Sequence, residues 1–130
     1  MHANDANNKD LLHKELSYTI FGILYKAHNT LGRHAREKQY CDVIEVFLKE
    51  EKLPYEREKL LSITGMDKNK ADFIIDNKIV VEIKAIIFMG KVEYYQLLRY
   101  LEASKLKLGI LVNFCQKYLK PKRIVNAQLP

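Results

Sequence analysis

Between Lys70 and Lys84 the chain reads Lys-Ala-Asp-Phe-Ile-Ile-Asp-Asn-Lys-Ile-Val-Val-Glu-Ile-Lys, two apolar and largely β-branched runs on either side of Asp76-Asn77. That composition is the signature of a buried β-hairpin. Asp72, Glu82 and Lys84 interrupt it where a pure core would carry no charge. Glu82 and Lys84 are two residues apart, so on a strand both point to the same face. Register decides whether Asp72 joins them. A two-residue turn at Asp76-Asn77 pairs Asp72 with Val81 and sends Glu82 to the opposite face. A three-residue loop, Asp76-Asn77-Lys78, pairs Ile75 with Ile79 and Asp72 with Glu82. Asn77 tolerates left-handed backbone, and this second register gathers every charged group on one face. It is the register the sequence predicts.

Buried charge is costly unless it is paired, hydrogen-bonded or bound to metal. A carboxylate on one strand, with a carboxylate and a lysine on the next, can hold a divalent cation and activate a water. The competing explanation is a structural ion-pair cluster.

Around the hairpin, apolar periodicity predicts three helices. A first runs from about Leu11 to Leu31, with Leu12, Leu16, Ile20, Ile23, Ala27 and Leu31 at helical spacing and Gly32 as its stop. A second, about Ala35 to Glu51, carries Cys41, Ile44 and Leu48 in one row. Glu37 falls in that row, which directs a carboxylate toward the apolar interior; an ordinary first-turn carboxylate on the helix surface is the alternative. A third, about Lys91 to Ser104, packs through Tyr94, Leu97, Leu98 and Leu101. Strands are expected at about Tyr55–Thr64, Lys70–Ile75, Lys78–Ala85, Lys107–Phe114 and Lys122–Asn126, with Gly65–Asn69 as a polar turn. Strands apolar on both faces need cover on both sides. The expected fold is α/β, a mixed central β-sheet flanked by α-helices on both faces.

With 130 residues, the chain suits one domain with a single substantial core. We take residues 1–10, rich in Asn and Asp, as a disordered tail and 11–130 as the domain. No apolar run reaches the roughly 18–20 residues of a membrane-spanning helix, and the N-terminus lacks an apolar signal region. No membrane association is expected, and cytoplasmic residence is the default. Cys41 and Cys115 lack metal-site spacing and read as buried thiols. A net charge of +6 suits a polyanionic partner, although lysine also serves solubility. Lys117, Lys120, Lys122 and Arg123 could follow a phosphate backbone or form a solvated basic tail.

In the three-residue register, the hairpin resembles the core of the PD-(D/E)xK nuclease superfamily, with Asp72 as the lone acid and Glu82-Ile83-Lys84 as the ExK element. The wider resemblance, from about Leu16 to Val125, is to its GxxExxY branch. It is carried by His28, Leu31-Gly32, Glu37-x-x-Tyr40, Ala71-Asp72-Phe73, Val81 to Ala85, Gln96-Leu97-Leu98-x-Tyr100-Leu101 and Leu108-Gly109 through Asn113-Phe114. His34 departs from it, standing three residues before Glu37 where the naming glycine is expected.

The resemblance implies a restriction-endonuclease-like core and a Mg²⁺-dependent nuclease-like phosphodiesterase acting on DNA, or on RNA. Mn²⁺ is the alternative cation. Asp72, Glu82 and the Ile83 carbonyl would bind the metal through hard oxygens, with Glu37 as a further acid, directly or through water. Lys84 would hold the attacking water and stabilise the transition state, and Gln96 would reach the site edge. Lys70, Arg33, Arg36, Lys91 and Tyr100 are the candidate nucleic-acid contacts. The opposing function is a non-catalytic nucleic-acid-binding or protein-interaction module on the same fold. A homodimer or protein partner stays open. A metabolic α/β enzyme is disfavoured, because no glycine-rich phosphate loop or nucleophile elbow is present.

Overall fold

A computed structural model describes residues 11–64 and 67–128; the tail expected at 1–10 lies outside them. The described elements are helices α1 (Lys14–Leu31), α2 (Glu37–Glu50) and α3 (Lys91–Ser104), and strands β1 (Tyr55–Thr64), β2 (Asp67–Ile75), β3 (Ile79–Lys84), β4 (Leu108–Asn113) and β5 (Lys122–Val125). The five strands form one sheet in chain order. Neighbours are antiparallel except β3 and β4, which run parallel. A parallel step needs a long crossover, and α3 supplies it.

The β2–β3 hairpin has the three-residue loop, pairing Ile75 with Ile79, Ile74 with Val80 and Phe73 with Val81. Asp76 and Asn77 both adopt left-handed backbone, each with φ of 53°, a region these short polar side chains tolerate. The Lys78 N–H closes the loop on the Ile75 carbonyl at 3.0 Å, and the Asp76 N–H bonds the Pro54 carbonyl at 2.7 Å.

Two apolar clusters sandwich the sheet. Ile79, Val81 and Ile83 pack with Ile20, Leu24, Ala27, Ile44 and Leu48 of α1 and α2. Val80 packs on the other side with Leu97, Tyr100 and Leu101 of α3 and with Leu111 and Ile124. By alternation, Glu82 and Lys84 therefore face the α3 side. The α/β architecture with helices on both faces is the one the apolar strands required.

Several boundaries differ from the sequence expectation. Asp67, Lys68 and Asn69, expected within a turn at Gly65–Asn69, instead pair with Thr64, Ile63 and Ser62, while Gly65 and Met66 lie outside the described residues. Backbone pairing extends the hairpin without needing apolar side chains. Helix α1 starts at Lys14, after a left-handed His13. Helix α2 starts at Glu37, where the Gln39 side chain accepts the Arg36 N–H at 2.8 Å. Gly32, at φ 73°, ends α1 with its N–H on the His28 carbonyl at 2.7 Å.

Between the two helices, Tyr40 stacks on Phe114 with centroids 4.2 Å apart. Its hydroxyl donates to the Gly32 carbonyl and accepts the Ala35 N–H at 3.2 Å. His28 Nε2 donates to the Gln116 carbonyl at 2.8 Å. These contacts fix the start of α2, and hence Glu37, against the end of β4.

Helix α3 approaches β4 closely at Gly109, where an added Cβ would lie 2.8–2.9 Å from three atoms of Leu97. Leu97 is fully buried, so it has little room to yield. Gly109→Ala is expected to destabilise the fold by about 1–3 kcal/mol, measured as a lowered urea midpoint.

Candidate active site

Beyond the Phe73–Val81 pair, side chains take over the hydrogen bonding of the hairpin. The Ile83 N–H donates to Asp72 Oδ2 at 2.7 Å, and the Asp72 N–H donates to Glu82 Oε1 at 2.8 Å. Each acid is latched to the opposite strand through one oxygen. Among the described residues, Asp72 Oδ1 has no hydrogen-bond partner, and Glu82 Oε2 meets only Lys84 Nζ, at 4.0 Å. Lys84 Nζ donates to Gln96 Oε1 at 2.8 Å, which ties the ammonium to α3.

This pair of acids is electrostatically unsatisfied. Burial pushes the pKa of Glu82 up, Asp72 adds to the displacement, and Lys84 opposes it without cancelling it. Asp72 is also displaced upward, first by burial and then by Glu37, against the pull of the Ile83 N–H. Burial raises Tyr100 too, with Glu82 and Asp72 adding to it. The buried Cys41 thiol is pushed up by burial and by Asp72; both cysteines are free.

Glu37, Lys38, Cys41, Arg57, Glu58 and Asp72 line a small open cavity of about 220 Å³. Helix α2 thus brings Glu37 to the same hollow as Asp72, although Glu37 itself is exposed. Glu58 was invisible to sequence reasoning, because Glu56-Arg57-Glu58-Lys59 looks like an ordinary charged strand. It reaches this hollow through a left-handed backbone with φ of 55°, and it raises the Asp72 pKa. Arg57 joins Asp42 and Glu45 at 2.8 and 3.0 Å, while its Nε is buried without a partner among the described residues.

Asn113 was also undervalued. It sits beside Lys84 in the parallel register, and its side chain bonds both the N–H and the carbonyl of Ile86, at 3.1 and 2.8 Å. It also accepts the Cys115 N–H at 3.1 Å. The chain leaving Lys84 is therefore pinned to the end of β4.

The donor set suits a hard divalent cation. Two carboxylates with a neighbouring backbone carbonyl, Ile83, are the kind of ligands Mg²⁺ takes while keeping several waters. Among the described residues, no three His, Cys, Asp or Glu side chains converge as a metal-holding group. Glu37 is accordingly not grouped with Asp72 and Glu82 at ligand distance.

The candidate nucleic-acid contacts are dispersed. Lys70 is exposed and lies 3.8 Å from Glu58. Arg33, Arg36 and Lys91 are exposed. Tyr100 is buried against the α3 side of the sheet. Arg123 is not a free cation, since it donates to the Ser17 hydroxyl and, at 2.7 Å, to the Leu12 carbonyl. No helix among the described residues is long and apolar enough to cross a membrane.

A family model described as the PD-(D/E)XK nuclease superfamily matches residues 14–125, a span that includes every site residue above. No match was found among curated proteins or among solved structures.

Proposed function

This chain belongs to the PD-(D/E)XK nuclease superfamily, and from that premise we propose that it is a Mg²⁺-dependent nuclease-like phosphodiesterase acting on DNA, with RNA as the alternative substrate. One observation carries the reading most. Glu82 is buried and Asp72 half-buried; the two are latched across the hairpin and pushed toward protonation, with an ammonium held beside them by Gln96. A purely structural cluster would be expected to match its charges; this one is short of positive charge.

When bound, the cation would neutralise charge growing on the phosphate and make a water easier to deprotonate. Asp72, Glu82 and the Ile83 carbonyl are the residues that would hold it. Lys84 orients the attacking water and donates to the developing phosphate charge. Gln96 sets the position of that ammonium, and Glu37 supports the cation through water. Mn²⁺ suits the same oxygen donors. The GxxExxY branch of the superfamily is the closer assignment we favour, on Glu37-x-x-Tyr40, Asp72 and the ExK triplet.

The test is incubation of the purified protein with plasmid DNA and with single-stranded RNA, titrating Mg²⁺ and Mn²⁺. Slow, metal-dependent cleavage with little sequence preference is expected, because nothing in the chain looks like an element for reading base edges. Binding without cleavage under every divalent cation would replace the enzyme with a binding module. Glu37→Gln is expected to weaken cation affinity or activity about 10–100-fold, measured by cation titration of thermal stability beside cleavage rates.

A further inference from the structure

Directly after Lys84 the chain does something costly. Ile87 is 81% exposed, Phe88 90% and Val92 76%, an apolar patch a few residues beyond Lys84 in the chain. The tip is held at both ends. Asn113 fixes Ile86, and the Glu93 carboxylate accepts the Gly90 N–H at 2.7 Å at the start of α3. The exposed side chains therefore project from a fixed base.

This patch continues into the site. Phe88 is four residues from Lys84 and so no more than about 14 Å away along the chain. On α3, Val92 and Gln96 are four apart and share a face, with Cβ atoms about 6 Å apart. Gln96 in turn holds Lys84. The same face carries Tyr95, 54% exposed, and Arg99. Lys91 and Arg99 are exposed and take part in no ion pair among the described residues. The strip alternates ring, aliphatic and cationic groups, and it leads from the ammonium outward.

We infer that Phe88, Val92 and Tyr95 form a stacking platform for unpaired nucleobases, so that the substrate is a single-stranded or locally opened nucleic acid with Lys91 and Arg99 beside its phosphates. Bases offer flat apolar faces to such rings, and the phosphates supply the charge that the free cations lack. A fully paired duplex hides those faces. The inference rests on the nuclease reading for the location of the scissile phosphate, but the platform can be tested without cleavage.

The chain contains no tryptophan, so Phe88→Trp installs a single reporter at the tip. The experiment uses this variant in a Lys84→Ala background with Mg²⁺, adding oligonucleotides of one sequence as single-stranded DNA, single-stranded RNA and duplex DNA. Emission is expected to be quenched by the single strands and not by the duplex, and the two single-strand arms decide between DNA and RNA. Phe88→Ala and Tyr95→Ala are each expected to lower single-strand affinity at least about five-fold in fluorescence anisotropy. They should leave duplex affinity and thermal stability unchanged. Equal losses on duplex, or no loss at all, would overturn the platform. Quenching that rises with protein concentration alone, with sedimentation as a dimer, would overturn it in favour of a second copy of this chain. Wild-type protein that binds single strands through Phe88 yet never cuts them would sink the nuclease reading and leave the platform standing.

Discussion

Lys84→Ala is expected, on the proposed nuclease function, to lower the cleavage rate by at least about a hundred-fold, the effect of removing one preorganised donor from a developing oxyanion, and to leave cation binding in place. The separation follows from geometry. Lys84 is bonded to Gln96 at 2.8 Å and stands 4.0 Å from Glu82; in the proposed mechanism it serves the water and the phosphate and contributes no ligand. The check is single-turnover cleavage beside the rise in melting temperature on adding Mg²⁺. Loss of both together would assign Lys84 a structural part. Cleavage retained by both Lys84→Ala and the Asp72 variant below would point to a contaminating nuclease.

Asp72→Asn should act in opposite directions on stability and function. The amide keeps an oxygen for the Ile83 N–H and removes a charge that burial and Glu37 disfavour. Each unit of pKa displacement corresponds to about 1.4 kcal/mol, so the metal-free variant should gain about 1–3 kcal/mol at neutral pH. It should also lose the Mg²⁺-induced stabilisation and all activity. The pH dependence has a definite sign. Both acids have folded pKa values above their ordinary 3.8 and 4.5, so the unfolded chain releases these protons first as pH rises. Metal-free wild type is therefore most favoured, as far as these two groups go, below those values, and it loses stability as pH climbs through the raised folded ones. Added Mg²⁺ should restore the loss on the alkaline side. A metal-free melting temperature that increases with pH across that range in wild type, and not in Asp72→Asn, would refute the electrostatic account.

The hairpin register was legible because a side-chain period of two allows only two outcomes, and only one collected Asp72, Glu82 and Lys84 together. The helices were legible from periodicity, and the bounds of α3 match the expected Lys91–Ser104. What escaped the sequence was set by backbone conformation or by distant contacts. Nothing in Glu56-Arg57-Glu58-Lys59 announces that Glu58 takes a left-handed conformation and turns toward the Asp72 hollow. Arg123 looked free because its anchors, Ser17 and Leu12, lie more than a hundred positions away. Asn113 carried no signal either, since a polar end to an apolar strand is commonplace; its value comes from the neighbouring parallel strand.

The sheet order has a consequence for the order in which the candidate site is assembled during folding. The two acids meet across a loop of three residues, a contact that closes early because little chain entropy is lost. The ammonium, by contrast, is set only when α3 has crossed over and β4 has docked parallel to β3, a slower, non-local event. A half-folded chain would hold the acids in register with Lys84 still swinging free. Pulse-labelled hydrogen exchange should therefore find the Ile83 amide protected before the amides of β4. The proposed site is thus completed last, after the rest of the fold has closed around it.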